Sequence, residues 1–172
     1  KQGKYEANMK AEEENWMSIL AGLEDEESKL KDLITNVQIV GIGDSVMLGS
    51  ISNLYETFPN GYFDAKISRT AWVANDILKS LKNKNMLGDP IVLNLGANGD
   101  CPESCKIEIM KTVENRKVFW VNTTNYNRVN NELLEFSKKY NNLYIIDWKS
   151  ISKNHPEYFI ADKIHLTNIG KK

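Results

Sequence analysis

Gln38-Ile39-Val40-Gly41-Ile42-Gly43-Asp44-Ser45-Val46-Met47-Leu48-Gly49 is the stretch whose reading decides the fold. It runs from an apolar segment through closely spaced glycines into a segment of helical pattern. A strand covered on both faces reads as a continuous apolar run, so residues 38–42 are expected to form a buried strand. The glycines let the chain turn sharply, and residues 46–55 then read as a helix. Working outward, the same alternation recurs. Strands are expected at 62–67, 91–95, 118–122 and 143–147, and helices at 71–81, 103–113 and 128–140. Pro59-Asn60-Gly61 and Gly88-Asp89-Pro90 mark turns. This alternation predicts an α/β domain, a three-layer sandwich with a mostly parallel central sheet.

Upstream the character changes. Residues 1–33 hold nine acidic and five basic residues and no proline. Trp16, Leu23, Leu30 and Val37 recur every seven residues, with Leu20 and Ile34 on the same side. This is an amphipathic helix, with an interruption expected near Gly22. It is either a helix packed on the domain or a stem or short coiled coil; Glu27 on the seam and Gly22 count against a coiled coil. The expected division is a helical stem or linker over 1–36 and a catalytic domain over 37–172.

With 172 residues, 41% of them hydrophobic, the chain suffices for one well-packed domain. A net charge of −1 and the scatter of the basic residues give no electrostatic footprint for nucleic acid. No segment approaches the roughly 20 apolar residues of a membrane span. The chain opens on Lys1 rather than methionine, as expected of a piece of a longer protein, so the lack of a signal peptide assigns no compartment. Cys101 and Cys105 lack the second ligand pair of a structural zinc site and are either a short-loop disulfide or two free thiols.

In a parallel sheet, ligands bind beyond the carboxyl ends of the strands. Ser45 falls there after the first strand, at a helix start, where a hydroxyl is exposed and free amides can hold an anion. Equally, Ser45 or Asp44 could serve as the helix cap. A dinucleotide loop is excluded because Val46 stands where the third glycine belongs, and a phosphate loop lacks its Lys-Ser/Thr pair. After the third strand, Gly96-Ala97-Asn98-Gly99 forms either an ordinary Asn-Gly turn or one that aims the Asn98 amide at a developing oxyanion. Near the end, Asp162 precedes His165 by three residues, where one turn brings the carboxylate to the ring and fixes its tautomer. His155 has Ser152 in that position instead. A surface pair is the plain alternative for Asp162 and His165. The order Ser, Asp, His suits an α/β hydrolytic site, although the Gly-x-Ser-x-Gly elbow is absent.

Taken together, Gly43-Asp44-Ser45, Gly96-Ala97-Asn98 and Asp162-x-x-His165 resemble the blocks of the SGNH (GDSL-type) hydrolase superfamily, from about Gln38 to the end. Gly43–Gly49, Asn94–Gly99 and Trp120-Val121-Asn122-Thr123 most resemble the extracellular C-terminal domain of bacterial peptidoglycan O-acetyltransferases. The resemblance implies a flavodoxin-like sheet with Ser45 as nucleophile, His165 as base and Asp162 as its orienting partner. The oxyanion hole would comprise the Ser45 amide, Asn98 and, from Lys66-Ile67-Ser68-Arg69, Ser68. It also implies a cell-wall glycan acceptor, an acetyl donor, and a membrane acyltransferase portion in the same parent chain at the outer face of a bacterial membrane. No metal or organic cofactor is implied. Gly99 stands where many SGNH esterases carry Asp, and the Cys101-to-Cys105 stretch has no counterpart to carry over. Two other activities fit the same residues: a carbohydrate acetyl esterase, with water as acceptor, or a catalytically silent glycan-binding module.

Overall fold

The computed structural model describes residues 2–172, with side chains from Lys10 onward. It divides into two compact units, Lys1–Asn36 and Val37–Lys172. The first is a single helix, α1 (Gln2–Asn36), continuous through Gly22 where an interruption was expected. Nothing lies within 4 Å of where a Cβ on Gly22 would sit. A glycine lowers helix stability by about 1 kcal/mol relative to alanine, too little to end a helix flanked by Leu20, Ala21, Leu23 and Glu24. Lys29 and Asp25 (2.6 Å) add an exposed ion pair one turn apart. Among the described residues, no helix is long and apolar enough to cross a membrane.

The second unit carries five parallel strands in the order β2-β1-β3-β4-β5. They are β1 (Val40–Gly43), β2 (Tyr62–Ala65), β3 (Ile91–Asn94), β4 (Val118–Val121) and β5 (Leu143–Ile146). Each lies where the apolar runs placed it. β1 begins later than expected because Gln38 makes only an isolated antiparallel bridge with Asp89. The expected helix over 46–55 is two helices, α2 (Ser45–Gly49) and α3 (Ile51–Thr57), divided at Ser50 with φ −107° and ψ 6°. A 3-10 turn, Ala71–Val73, leads into α4 (Ala74–Asn83). α5 (Glu103–Val113) has the expected bounds, and α6 (Asn127–Ser137) is shorter than expected. After β5 come α7 (Trp148–Ser152) and a 3-10 turn, Pro156–Tyr158, neither of which the sequence pattern announced.

Parallel crossovers are right-handed. With this strand order, α2 and α3 then cover one face of the sheet and α4, α5 and α6 the other. The main core lies between the sheet and α4, α5 and α6. Ile42, Leu78, Ile91, Leu93, Ile109, Val113 and Val118 are fully buried, each worth about 1.5–3 kcal/mol of transfer free energy. Trp120 is buried too, and its indole N–H donates to Leu95 O at 2.9 Å, which satisfies the one polar atom it takes inside. The strand order reverses between β1 and β3, so a crevice opens beyond their carboxyl ends. At that crevice Asp44 N donates to Asn94 O at 3.2 Å, tying the two strand exits together.

Candidate active site

The first wall of the crevice is the turn after β1. A Cβ on Gly43 would overlap the Met47 side chain, so only glycine lets α2 fold back this closely. Asp44 caps α2: its Oδ1 accepts from Val46 N at 2.9 Å. The cap therefore falls to Asp44, which leaves the Ser45 hydroxyl available. No described residue accepts from the Ser45 amide, one of the unpaired donors of a helix start.

The second wall is the turn after β3. Gly96 and Gly99 adopt φ of +133° and +131°, a region side chains avoid, and between them the chain reverses. Asn98 thereby reaches the first wall, its Nδ2 donating to Asp44 Oδ2 at 3.1 Å. The turn is fastened from below. Lys106, buried in α5, donates to Asp100 Oδ2 and to Cys101 O, both at 2.6 Å. Cys101 and Cys105 form a disulfide, which settles their state and joins the turn to the start of α5.

The third part is a loop near the chain end. Asp162 Oδ1 accepts from the amides of Ile164 and His165, each at 2.9 Å, across Lys163 with φ +59°. Its Oδ2 lies 2.7 Å from His165 Nδ1. His165 Nε2 lies 2.9 Å from Ser45 Oγ, a contact between residues 120 apart in sequence. A carboxylate only accepts, so Nδ1 carries the proton and the Nε2 lone pair faces the serine hydroxyl. Hydrogen bonding to His165, then to the two amides, lowers the Asp162 carboxyl from 3.8 to about 2. A depressed pKa of this kind contributes stability above about 3.8 that is lost as pH falls through about 2.

Asp44 is perturbed in the opposite direction. Burial raises its carboxyl above the ordinary value, partly offset by the Val46 amide, the charge of His165 and the Asn98 amide.

Of the residues singled out in the sequence, the structure joins Ser45, His165 and Asp162 in one hydrogen-bonded chain and brings Asn98 to it through Asp44. Ser68 is exposed, has φ +58°, and makes no hydrogen bond among the described residues. Its loop is nevertheless adjacent, since Lys66 N donates to Gly43 O at 3.2 Å. Arg69 secures that loop, with Nη1 donating to Asp64 O at 2.5 Å and Nη2 to Asp64 Oδ1 at 2.7 Å. His155 lies outside the site, with its Nδ1 2.7 Å from Glu157. Asn122 donates to Asp147 Oδ1 (2.6 Å) and accepts from Lys149 N (2.9 Å), joining the exit of β4 to α7. Sequence reasoning missed Arg69 and Lys106. Arg69 sits directly after Ser68, whereas nothing in the pattern of α5 distinguishes Lys106 from a solvated lysine.

No family model matches the chain. The O-acetyltransferase OatA of Staphylococcus aureus is 34% identical over 137 residues, covering 76% of this chain; the chain spans 23% of that protein's length. Among solved structures, the C-terminal catalytic domain of Streptococcus pneumoniae peptidoglycan O-acetyltransferase A, which carries a methylsulfonyl adduct, superimposes with a TM-score of 0.64 at 23% identity. It covers 78% of this chain and 82% of that one. A family 3 carbohydrate esterase of Clostridium thermocellum shares the fold with a TM-score of 0.60 at 15% identity, covering 79% of this chain and 90% of that one. The chain is thus similar to a domain-length portion of curated O-acetyltransferases and is folded as the Streptococcus pneumoniae C-terminal catalytic domain is.

Proposed function

We propose that this chain is the catalytic portion of an O-acetyltransferase that passes an acetyl group through Ser45 to a hydroxyl of a cell-wall glycan, namely a muramoyl residue of peptidoglycan. The observation that carries the proposal is the continuous relay from Ser45 Oγ through His165 to Asp162, at 2.9 and 2.7 Å. Both separations are within the reach required of a base and its orienting group. The relative named O-acetyltransferase supports the transferase over the esterase, which shares only the fold. Tethering through a membrane acyltransferase portion of a longer parent chain, at the outer face of a bacterial membrane, belongs to the same proposal.

In the first half-reaction Ser45 Oγ attacks the acetyl carbonyl carbon of the donor and gives its proton to His165 Nε2. The carbonyl oxygen becomes an oxyanion, received by the Ser45 amide and the second Nδ2 hydrogen of Asn98, with Ser68 as a third donor. Asp162 holds the resulting imidazolium. Collapse expels the donor's alkoxide, which takes the proton from Nε2 and leaves acetyl-Ser45. In the second half, the glycan hydroxyl loses its proton to Nε2 and attacks the ester carbonyl. A second oxyanion collapses, and Ser45 recovers its proton. Each oxyanion donor is worth roughly 10²–10³ in turnover.

The test is mass spectrometry of a muropeptide or chitin-type oligosaccharide incubated with an activated acetyl ester, beside the Ser45→Ala chain. Acetylated oligosaccharide made by the native chain alone is the expected result. Free acetate without acetylated glycan identifies an esterase, and equal products from both chains overturn the role of Ser45.

Asp44 gives a second expectation. Its buried carboxylate orients the Asn98 amide with nitrogen toward it, and Asn at position 44 would let Asn98 turn its oxygen inward. Asp44→Asn is expected to slow transfer by about 10². Because burial has raised the native carboxyl, its ionisation opposes folding, and this destabilisation sets in as pH rises above about 3.8 and is complete above the raised folded value. The variant should therefore melt higher than the native chain at pH 7, with the gain shrinking toward pH 4. Thermal melts at the two pH values, beside the rate, check both halves.

A further inference from the structure

The loop from Lys66 to Ala71 spans the two walls of the crevice. At its start Lys66 N donates to Gly43 O at 3.2 Å, just ahead of Asp44 and Ser45. At its end Ala71 N donates to Gly99 O at 3.0 Å, directly after Asn98. Between these ties the backbone passes through Ser68 in the left-handed region, φ +58°, and Lys66, Ile67 and Ser68 are exposed. A residue other than glycine keeps that conformation only where its surroundings impose it. Arg69 is the group placed to impose it. Its backbone N donates to Lys66 O at 3.3 Å, closing the turn around Ser68, and its side chain is only 9% exposed. Nη1 donates to Asp64 O at 2.5 Å and to Gly43 O at 3.4 Å, and Nη2 to Asp64 Oδ1 at 2.7 Å. One planar guanidinium thus joins the exit of β2, the exit of β1 and the loop that carries Ser68.

We propose that Arg69 is a positioning residue for the acylation step, its guanidinium setting the loop so that the Ser68 amide joins the Ser45 amide and Asn98 around the developing oxyanion. The inference rests on the acylation of Ser45 proposed above and deepens it. Arg69 acts through Ser68 and not on the substrate. The Ser68 amide donates to no described residue, as a donor kept for a ligand should. The loop is bound to both turns that bear the other donors, so a shift of the loop moves one donor against the other two. Lysine would keep a positive charge opposite Asp64. Its single ammonium lacks the planar fork that reaches two carbonyls and a carboxylate together.

The test is the single-turnover rate of Ser45 acetylation by an activated acetyl ester, followed by intact mass, for Arg69→Lys and Arg69→Ala beside the native chain. Arg69→Lys is expected to melt cooperatively near the native temperature and to acetylate roughly 10- to 100-fold more slowly at saturating ester, as a small misplacement of a catalytic group does. The half-saturating ester concentration should stay within about twofold, because oxyanion donors engage the transition state and not the ground state. Added methylguanidinium, at concentrations that do not denature, should restore part of the rate to Arg69→Ala and leave the native rate unchanged. A role confined to stability would shift the melt and spare the rate of the folded chain. An Arg69→Lys rate within about threefold of native overturns the proposal. So does a loss expressed only in half-saturation, an Arg69→Lys chain without a cooperative melt, or a folded Arg69→Ala chain that ignores methylguanidinium. Only the first half-reaction is followed. Acetate released in place of acetylated glycan therefore sinks the transferase function and leaves the role of Arg69 standing, whereas a native chain that never forms acetyl-Ser45 overturns both.

Discussion

Replacing His165 by alanine is expected to lower acetyl transfer by roughly 10⁴- to 10⁶-fold, the range lost when the base of a serine relay is removed. A serine hydroxyl at its own pKa is a poor nucleophile, and among the described residues it is His165 Nε2 that lies within hydrogen-bond reach of Ser45 Oγ. The loss should be confined to chemistry. His165 is partly exposed, and the loop that carries it is held by bonds that survive truncation: Ile160 N donates to His165 O, and the amides of Ile164 and residue 165 donate to Asp162 Oδ1. The melting temperature should therefore change little, and added imidazole should restore part of the rate. Single-turnover acetylation of Ser45, followed by intact mass, measures the effect directly. Retention of more than a tenth of the native rate would remove His165 from the mechanism.

Lys106→Met is expected to have the largest effect on stability, about 3–5 kcal/mol, as breaking a buried ion pair by removing one partner does. The Lys106 side chain is 4% exposed and that of Asp100 12%, so the orphaned carboxylate would remain largely out of water. The Cys101 carbonyl would lose its donor as well. Urea unfolding measures the loss. Adding Asp100→Leu should recover much of it, since an apolar pair of similar size often replaces an ion pair without penalty. The recovered stability should not restore full activity, because Asp100 and Cys101 follow directly on the turn that carries Asn98. A loss under 1 kcal/mol in the single variant would mean that the pair is hydrated and does not hold that turn.

The central strands were legible because buried parallel strands need apolar runs, as Ile91-Val92-Leu93 and Val118-Phe119-Trp120-Val121 are, whereas the edge strand β2 carries Asp64 and was marked by the turn before it. Helix bounds were less legible. The division at Ser50 and the 3-10 turn at Ala71 arise where the chain must re-aim over the sheet, and periodicity records only that residues face inward. α7 was missed because its five residues are too few to establish a period. At the site, Asp162 and His165 could be paired from spacing alone, since one tight turn brings them together. Their meeting with Ser45 spans the whole sheet and was carried by resemblance. Ser45 and Asp44 competed for the cap, and only geometry divided the labour between them. The hydrogen bond of Asn98 to Asp44 and the support from Lys106 and Arg69 are long-range or buried contacts that no local pattern encodes.

The contact between Ser45 and His165 closes a loop of 120 residues, and it sets the order in which the proposed site is assembled. On a ribosome adding about 5–20 residues each second, the serine is complete on the order of ten seconds before the histidine exists. All five strands precede His165, so the sheet can be assembled while the proposed nucleophile still lacks its partner. The final loop adds little apolar burial and is fastened by a handful of backbone bonds, which places it among the segments that open most readily. The proposed activity would accordingly be the last property the chain acquires and the first it surrenders, and a rate assay would report damage that a spectrum of the sheet does not register.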